Sequence, residues 1–386
     1  MNKIELPIGL LFSDTGSYGT VAHTLLNGAR LACAEVNADP ASGVTFEPFH
    51  IDPQGDLQNY APAVQQMLDR GIRHICGCYT SSSRKEVIPL IEKHDALLWY
   101  PTHYEGFESA TNVVYTGAAP NHHISPLIDF LCARFGHSAY CIGSNYIWGW
   151  ESNRVMRDGL QKRGGEVLAE RYLPVGETAL DDIISEILEL KPDFVFNALI
   201  GDSSYAFFRA FRTACIDRGI DQVTRFPIAS CNLSEPELQA IGPVGADGQI
   251  SSSVYFASLP GARNARFVAA YRERFPDGPA VSAEAEAAYI SVHMLAKAVA
   301  QAGTAEVAAV QDAVAGQVFD APQGRVTIDP ETFHAELTPR IGLSRSDFEF
   351  EILVEAARPV TPDPYLVASA TKLETVQRHP RMRIVS

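Results

Sequence analysis

Short apolar runs alternate with segments of helical periodicity along most of this chain. Ile4 to Phe12 reads as a strand, a helical pattern covers Thr24 to Asn37, and the same order recurs through the sequence. Strands joined by helical crossovers of ten or more residues pair in parallel. The alternation therefore predicts an α/β fold built on doubly wound parallel sheets.

Two series of these units follow one another without a Ser- or Gly-rich linker. The second series begins after Asn121, and from Arg325 the pattern changes to short strands separated by turn residues. The clearest helical pattern in the chain covers Ala283 to Ala302. We therefore expect two lobes hinged across a ligand cleft. The predicted N-terminal lobe comprises residues 1–119 plus 251–328, and the predicted C-terminal lobe comprises residues 120–250 plus 329–386.

Polar and aromatic side chains follow two consecutive strands of the first series. One apolar run ends at Tyr79, Thr80 and three serines, and the next ends at Tyr100, Pro101, Thr102 and His103. In an open parallel sheet, ligands bind beyond the carboxyl ends of the strands, and a helix start offers backbone N–H groups without intrahelical partners. We expect both loops to face one cleft. The alternative is that the serines only cap a helix and the second loop is an ordinary turn.

Charge and composition exclude several classes of function. The chain has 386 residues, of which 46% are hydrophobic and 20% charged, which is typical of a soluble globular protein with room for two lobes. A formal net charge of −15 without any Lys/Arg cluster argues against direct binding of nucleic acid. No apolar run approaches the roughly 18 residues of a membrane span.

The cysteines and the first residues of the sequence indicate the cellular compartment in which the protein is expected. Seven cysteines, an odd number scattered through apolar runs, indicate buried thiols in a reducing compartment. No secretory signal precedes the first predicted strand. We therefore expect a cytoplasmic protein, or a periplasmic one if a leader has been removed.

No motif in the sequence predicts a catalytic, metal or cofactor site. The G-x-S-x-G, P-loop and G-x-G-x-x-G patterns are missing at strand-to-helix turns. His122 and His123 are adjacent in a predicted loop, without an acidic or Cys partner at metal-ligand spacing. Cys78, Lys85 and Glu105 are close in sequence, but a cysteine ending an apolar strand is more often a structural thiol. We expect a non-enzymatic protein that binds a small, polar, uncharged ligand among hydroxyls and aromatic rings.

Three stretches, residues 77–108, 113–123 and 142–153, carry a resemblance that extends over nearly the whole chain. They resemble the cytoplasmic amide-sensing negative regulators of bacterial aliphatic amidase operons and, less closely, the urea- and short-chain-amide-binding proteins of ABC transporters. Both groups have the type I periplasmic binding protein fold.

The resemblance implies a self-associating regulator that senses a short-chain amide or urea-like ligand by cleft closure. In the ligand-free state such a regulator sequesters an RNA-binding antitermination partner, and the amide releases it. The alternative is the solute-binding protein of an ABC transporter for urea or short-chain amides. A hydrolase acting on the same amide is a third reading.

The resemblance also implies which residues bind the ligand. Ser81 matches a serine whose hydroxyl and backbone amide hold the ligand carbonyl, and Tyr146 matches a tyrosine that reaches the amide when the lobes close. His103 and Trp148 stand where the regulators have proline and tyrosine, so we expect these two residues to set which ligand is accepted. The complete predicted ligand-binding set is Tyr79, Ser81, Tyr100, Thr102, His103, Tyr146, Trp148, Leu199 and Cys231.

Overall fold

The first third of the chain folds into a parallel sheet with a helix between most of its strands. The computed structural model describes residues 3–367 and 373–375. The elements are β1 (Ile4–Leu11), α1 (Gly19–Ala38), β2 (Val44–Ile51), α2 (Tyr60–Asp69), β3 (His74–Gly77), α3 (Ser81–Lys93), β4 (Leu97–Tyr100) and β5 (Val113–Tyr115), with a 3-10 turn at Leu57–Asn59 before α2. The strands lie in the order β2-β1-β3-β4-β5. Every residue of β3 and β4 is buried, as expected for central parallel strands covered on both faces.

The next part of the chain builds a second, larger sheet. Its elements are α4 (Pro120–Arg134), β6 (Ser138–Ser144), α5 (Ile147–Gln161), β7 (Glu166–Leu173), α6 (Asp181–Leu190), β8 (Phe194–Ala198), α7 (Gly201–Ile216), α8 (Gln222–Arg225), β9 (Ile228–Ser230), α9 (Glu235–Ile241), α10 (Pro243–Ala246) and β10 (Ile250–Ser253). These strands pair in parallel in the order β7-β6-β8-β9-β10. Phe207 and Phe211 of α7 stack at 5.6 Å within the core of this sheet.

Three helices and a small sheet then return the chain to the first sheet. They are α11 (Ala262–Arg274), α12 (Ala283–Ala302), α13 (Val307–Val314), β11 (Val318–Ala321), β12 (Gly324–Ile328) and β13 (Ala335–Glu336). Helix α12 packs along α1 and against strands of the first sheet. The small antiparallel sheet is tied to β5 by a bridge between Tyr115 and His334, whose rings stack at 4.0 Å.

The last strands extend the second sheet in the antiparallel sense. They are β14 (Arg340–Ser344), β15 (Phe350–Ala356) and β16 (Leu373–Thr375), and β14 pairs with β10. β14 and β15 form a hairpin across residues 345–349, whereas β14 pairs with β10 only after the three helices and the small sheet. The short strands predicted after Arg325 are thus divided between the small sheet and the second sheet. The predicted α/β fold with two parallel-sheet lobes is confirmed.

The predicted lobe boundaries remain a prediction. β10 spans the boundary placed between residues 250 and 251, and it pairs wholly within the second sheet. β13, assigned to the C-terminal lobe, pairs with β12. Residues 368–372 and 376–386 of that lobe lie outside the described residues. Among the residues that are described, no helix has the length and apolar character needed to cross a membrane.

Candidate ligand-binding site

The chain turns sharply where β3 ends, and this turn sets the direction in which α3 leaves the sheet. Cys78 has a φ of 70°, in the left-handed region that residues with side chains rarely adopt. Two hydrogen bonds hold it: the Cys78 N–H donates to the Leu11 carbonyl at 3.0 Å, and Thr102 Oγ1 donates to the Cys78 carbonyl at 3.1 Å. Helix α3 therefore begins at the carboxyl edge of the first sheet. Its first residues, Ser81 and Ser82, carry backbone N–H groups without intrahelical partners.

The side chain of Ser81 is engaged with a buried ion pair. Its hydroxyl donates to Glu105 Oε2, while Arg84 Nη1 donates to Ser81 Oγ at 3.3 Å. Arg84 is fully buried, and it also donates to Glu105 Oε1 at 3.1 Å and to Glu108 Oε1 at 2.7 Å. Burial alone would raise the pKa of Glu108, but the charges of Arg84 and Lys85 lower it to about 2. The Arg84 charge is thus neutralised within the first sheet's own loops.

A small cavity lies between the two sheets, beyond the end of β4. Its volume is about 20 Å³, enough for one water-sized group. His103 after β4 and Glu284 in the first turn of α12 line it from the first sheet's side, and His123 of α4, Cys231 after β9 and Ser252 of β10 line it from the second sheet's side. We call this space the inter-sheet cavity.

Gly117 also lines the inter-sheet cavity, and no other residue fits there. A Cβ atom at this position would lie 2.1 Å from the Thr102 carbonyl oxygen. The close approach of the two backbone segments holds the loop after β4 against the start of α4.

Three aromatic rings from both sheets pack beside the inter-sheet cavity. The centroid of His103 lies 4.9 Å from that of Trp148 and 5.8 Å from that of His123. His123 Nε2 donates to the Tyr104 carbonyl at 3.1 Å. Burial, with a smaller effect of His103, lowers the pKa of His123 well below its usual value, so its ring is neutral at pH 7 and Nδ1 is an acceptor.

Several buried polar atoms at this place have no hydrogen-bond partner among the described residues. They are Trp148 Nε1, His123 Nδ1 and Glu284 Oε2. The other Glu284 oxygen, Oε1, lies 3.4 Å from His103 Nδ1. Because an unpaired buried polar atom costs about 1–3 kcal/mol, these atoms mark a place where a bound molecule would stabilise the fold.

A second polar group surrounds Tyr79. Burial raises the pKa of Tyr79 well above its usual value, and the charges of Glu237 and Glu284 add to this. Glu237 lies in the first turn of α9, where Oε2 accepts hydrogen bonds from Ser234 N at 2.9 Å and Ser234 Oγ at 3.1 Å. Burial and then the nearby Glu284 charge raise the pKa of Glu237 well above its usual value. The charge of Glu284 therefore acts on Glu237, which lies on the opposite side of the cleft.

The nine predicted ligand-binding residues fall into three environments. Those beside the inter-sheet cavity are His103, Cys231 and Trp148, and those in the buried tyrosine group are Tyr79 and Tyr146. The remaining four, Ser81, Tyr100, Thr102 and Leu199, use polar groups within the protein: Tyr100 OH donates to the Tyr79 carbonyl at 3.1 Å, and the Leu199 carbonyl accepts from Asn232 Nδ2 at 2.9 Å. Contact of each residue with a ligand stays a prediction.

Sequence reasoning missed Glu284, His123 and Glu237. His122 and His123 lie in the first turn of α4 and not in a loop, and His122 Nε2 donates to the Val360 carbonyl at 2.9 Å. Adjacent helix residues point about 100° apart, so His123 alone reaches the inter-sheet cavity. The available signal for Glu284 is its position two residues after the N-cap Ser282, because helix starts lie at the ligand edge of such sheets.

The structure gives no support to the alternative that the protein is a hydrolase with Cys78 as its nucleophile. Burial raises the pKa of the Cys78 thiol to about 12, so the thiol is protonated at neutral pH. Lys85 Nζ lies 2.7 Å from Glu108 Oε2, and Glu105 is paired with Arg84. Cys78, Lys85 and Glu105 therefore have separate partners and form no catalytic group.

Comparison with known proteins shows what kind of protein has this architecture. The Leu/Ile/Val-binding protein homolog 6 of Brucella abortus (strain 2308) is 23% identical over 297 residues, 75% of this chain and 75% of the relative. A solute binding protein of an ABC transporter from Rhodopseudomonas palustris HaA2, in complex with p-hydroxybenzoic acid, has a TM-score of 0.80 at 19% identity, covering 90% of this chain and 96% of that chain. The leucine binding protein LivK from Thermotoga maritima MSB8 has a TM-score of 0.79 at 14% identity, covering 91% and 98%.

These relatives are binding proteins and not enzymes, and the solved structures share the type I periplasmic binding protein fold. Their names concern amino acids and benzoates, and none of them concerns amide sensing. The model of the periplasmic binding protein domain matches residues 6–371. The chain therefore belongs to the periplasmic binding protein domain family.

Proposed function

We propose that this chain is the solute-binding component of an ABC transporter and captures a small polar molecule between its two sheets. The family and the transport-related names of its relatives support this assignment. It corresponds to the transporter alternative of the sequence analysis rather than to the regulator.

The observation that carries the proposal is the inter-sheet cavity together with the unpaired polar atoms of residues that line it or pack beside it. Glu284 Oε2 comes from the first sheet's side, and His123 Nδ1 and Trp148 Nε1 come from the second sheet's side. A molecule that pairs with them bridges the two sheets and holds the cleft closed. A cavity of about 20 Å³ is far below the roughly 300 Å³ of a drug-sized site, so the lobes must part to admit a ligand.

Binding and closure are tested together on the purified protein. Thermal-shift assays with acetamide, propionamide, urea, leucine and benzoate identify a ligand, and small-angle X-ray scattering measures whether that ligand reduces the radius of gyration. We expect at least one compound to raise the melting temperature and compact the protein, and Trp148→Ala to remove both effects. The matched control is Trp150→Ala, since Trp150 is an exposed neighbour on the same helix. Loss of both effects in the control as well, or no compaction with any ligand, contradicts the proposal.

The amide-sensing regulator is the second candidate. It is favoured by the sequence resemblance and by the tyrosines around Tyr79, namely Tyr146 and Tyr205, which suit a small neutral amide. The two candidates differ in cells. Deleting the gene of a transporter component lowers uptake of the labelled ligand and leaves amidase expression unchanged, whereas deleting the gene of a regulator changes amidase expression. A regulator also retains an RNA-binding antitermination partner that acetamide releases.

A further inference from the structure

We propose that the group recognised in the inter-sheet cavity is a small cation made of N–H donors, an amidinium or ammonium, held by Glu284 and His123. This inference rests on the proposed binding function and names the chemistry of its ligand. It differs from the uncharged ligand that composition and loop chemistry alone suggest.

The first observation is the incomplete hydrogen bonding of Glu284. Its side chain is 4% exposed, and Oε2 has no partner among the described residues. Oε1 lies 3.4 Å from His103 Nδ1. A buried carboxylate is costly unless each oxygen receives hydrogen bonds, so Oε2 requires a donor that the protein does not supply.

The second observation is the acceptor on the opposite side. His123 lines the cavity, and its Nε2 donates to the Tyr104 carbonyl, which leaves Nδ1 as a buried acceptor without a hydrogen-bond partner among the described residues. The Ala118 carbonyl also lies within reach of the ring. A group placed between Glu284 and His123 therefore meets acceptors on both sides. An amidinium or ammonium, which carries only N–H donors at its charged end, is complementary to this arrangement.

The third observation is the charge around the cavity. None of the described residues that line it is Lys or Arg. Glu237 and Glu235 are also buried within reach of the Glu284 charge. Of the buried guanidinium groups, Arg84 is already paired with Glu105 and Glu108, and Arg340 is paired with Glu355. An anion such as a carboxylate would add a negative charge beside Glu284 where no Lys or Arg lines the cavity, whereas a cation would be attracted.

Three compounds of nearly the same shape separate the possibilities: acetamidine, which is a cation at pH 7, neutral acetamide, and anionic acetate. Titration calorimetry on the full chain should show acetamidinium binding about tenfold more tightly than acetamide, with acetate weakest. Binding of a cation should also ionise Glu237, whose pKa is raised in the structure, and release a proton. The release is read from the dependence of the heat on the buffer's ionisation enthalpy.

Variants of Glu284 give the decisive comparison. Glu284→Gln should weaken acetamidinium about tenfold and change acetamide little, while Glu284→Asp keeps a carboxylate and should retain the preference for the cation. Glu189→Gln, at an exposed position on α6, is the control. Thermal melts verify that each variant is folded. If Glu284→Gln does not fold, the ligand preference of Glu284→Asp decides the question.

The inference is overturned if acetate or acetamide binds most tightly, or if Glu284→Gln leaves the preference for the cation unchanged. It is also overturned if none of the three compounds binds. Leucine or benzoate closing the lobes in that event would leave the solute-binding function standing. No ligand closing the lobes would contradict the function itself.

Discussion

At the scale of single residues, Arg84 is a fully buried cation held by a group of buried polar side chains. It is fully buried, donates to Ser81, Glu105 and Glu108, and lies 4.7 Å from the ring of Tyr100. Removing the guanidinium leaves the buried Glu105 without a cation, which is far more costly than the pair's net contribution. In this structure the Ser81 hydroxyl donates to Glu105 within the same group, and its contact with a ligand stays a prediction.

We expect Arg84→Met to lower the free energy of unfolding by about 3–5 kcal/mol, measured by urea denaturation. The control is Arg171→Met, because Arg171 pairs with Glu186 at the surface with 46% of its side chain exposed. That change should cost less than about 1 kcal/mol. Similar losses in the two variants would show that Arg84 is not the centre of a buried network.

At the scale of elements, the contact between α1 and α12 supports the wall of the cleft that carries Glu284. The sequence pattern predicts α12 over Ala283 to Ala302, and the structure confirms these bounds, with Ser282 capping its start through a 3.1 Å bond from Ala285 N and Gly303 ending it in the left-handed conformation. The two helices approach so closely that a Cβ on Gly28 would lie 2.0 Å from the Ala285 carbonyl oxygen.

We expect Gly28→Ala to destabilise the protein by about 1–3 kcal/mol, because the added methyl meets backbone that cannot rotate away. Gly159→Ala on α5 is the matched control, since its methyl meets only the end of the Ile128 side chain. In Gly159→Ala the gain in helix propensity, about 1 kcal/mol, offsets the steric cost of the contact with Ile128. Thermal and urea unfolding of both variants measure the difference. If Gly28→Ala is as stable as the wild type, the helices are not in backbone contact.

At the scale of the whole molecule, buried titratable groups predict how stability varies with pH. Burial raises the pKa of Glu235 to about 8 and that of Glu286 to about 7, so the folded state retains protons that the unfolded chain has lost above about pH 4.3. Stability from these groups is therefore lost as pH rises toward their folded pKa values. Buried histidines act in the opposite sense, since burial lowers the pKa of His122 to about 4, and their contribution rises only until about pH 6.5.

The two effects oppose each other below about pH 6.5, and only the carboxyl groups act above it. We expect the free energy of unfolding to fall between about pH 6.5 and 8, with each carboxyl contributing up to about 1.4 kcal/mol per pH unit. Glu235→Gln should make the decline shallower, and the exposed Glu189→Gln should not. Urea denaturation across this range measures the slope. A stability that rises through this range would mean that Glu235 and Glu286 are ionised in the folded protein.

The sequence alone determined the features that depend on local pattern. The alternation of strands and helices, the parallel sheets, the start of α3 at the serines and the bounds of α12 all follow from periodicity and capping, which act over a few residues. The placement of two loops at one sheet edge follows as well, because parallel strands share an end.

Only the tertiary structure decided which side chains meet. Ser81 contacts Glu105, 24 residues away, and His103 contacts Glu284 in the last third of the chain. Trp148 of the second sheet contacts the rings of His103 and His123. Periodicity holds no information on such distances, since they depend on how two sheets and a returning helix pack together. Loop chemistry could therefore indicate a cleft, but the unpaired carboxylate inside it became visible only when α12 was placed against the first sheet.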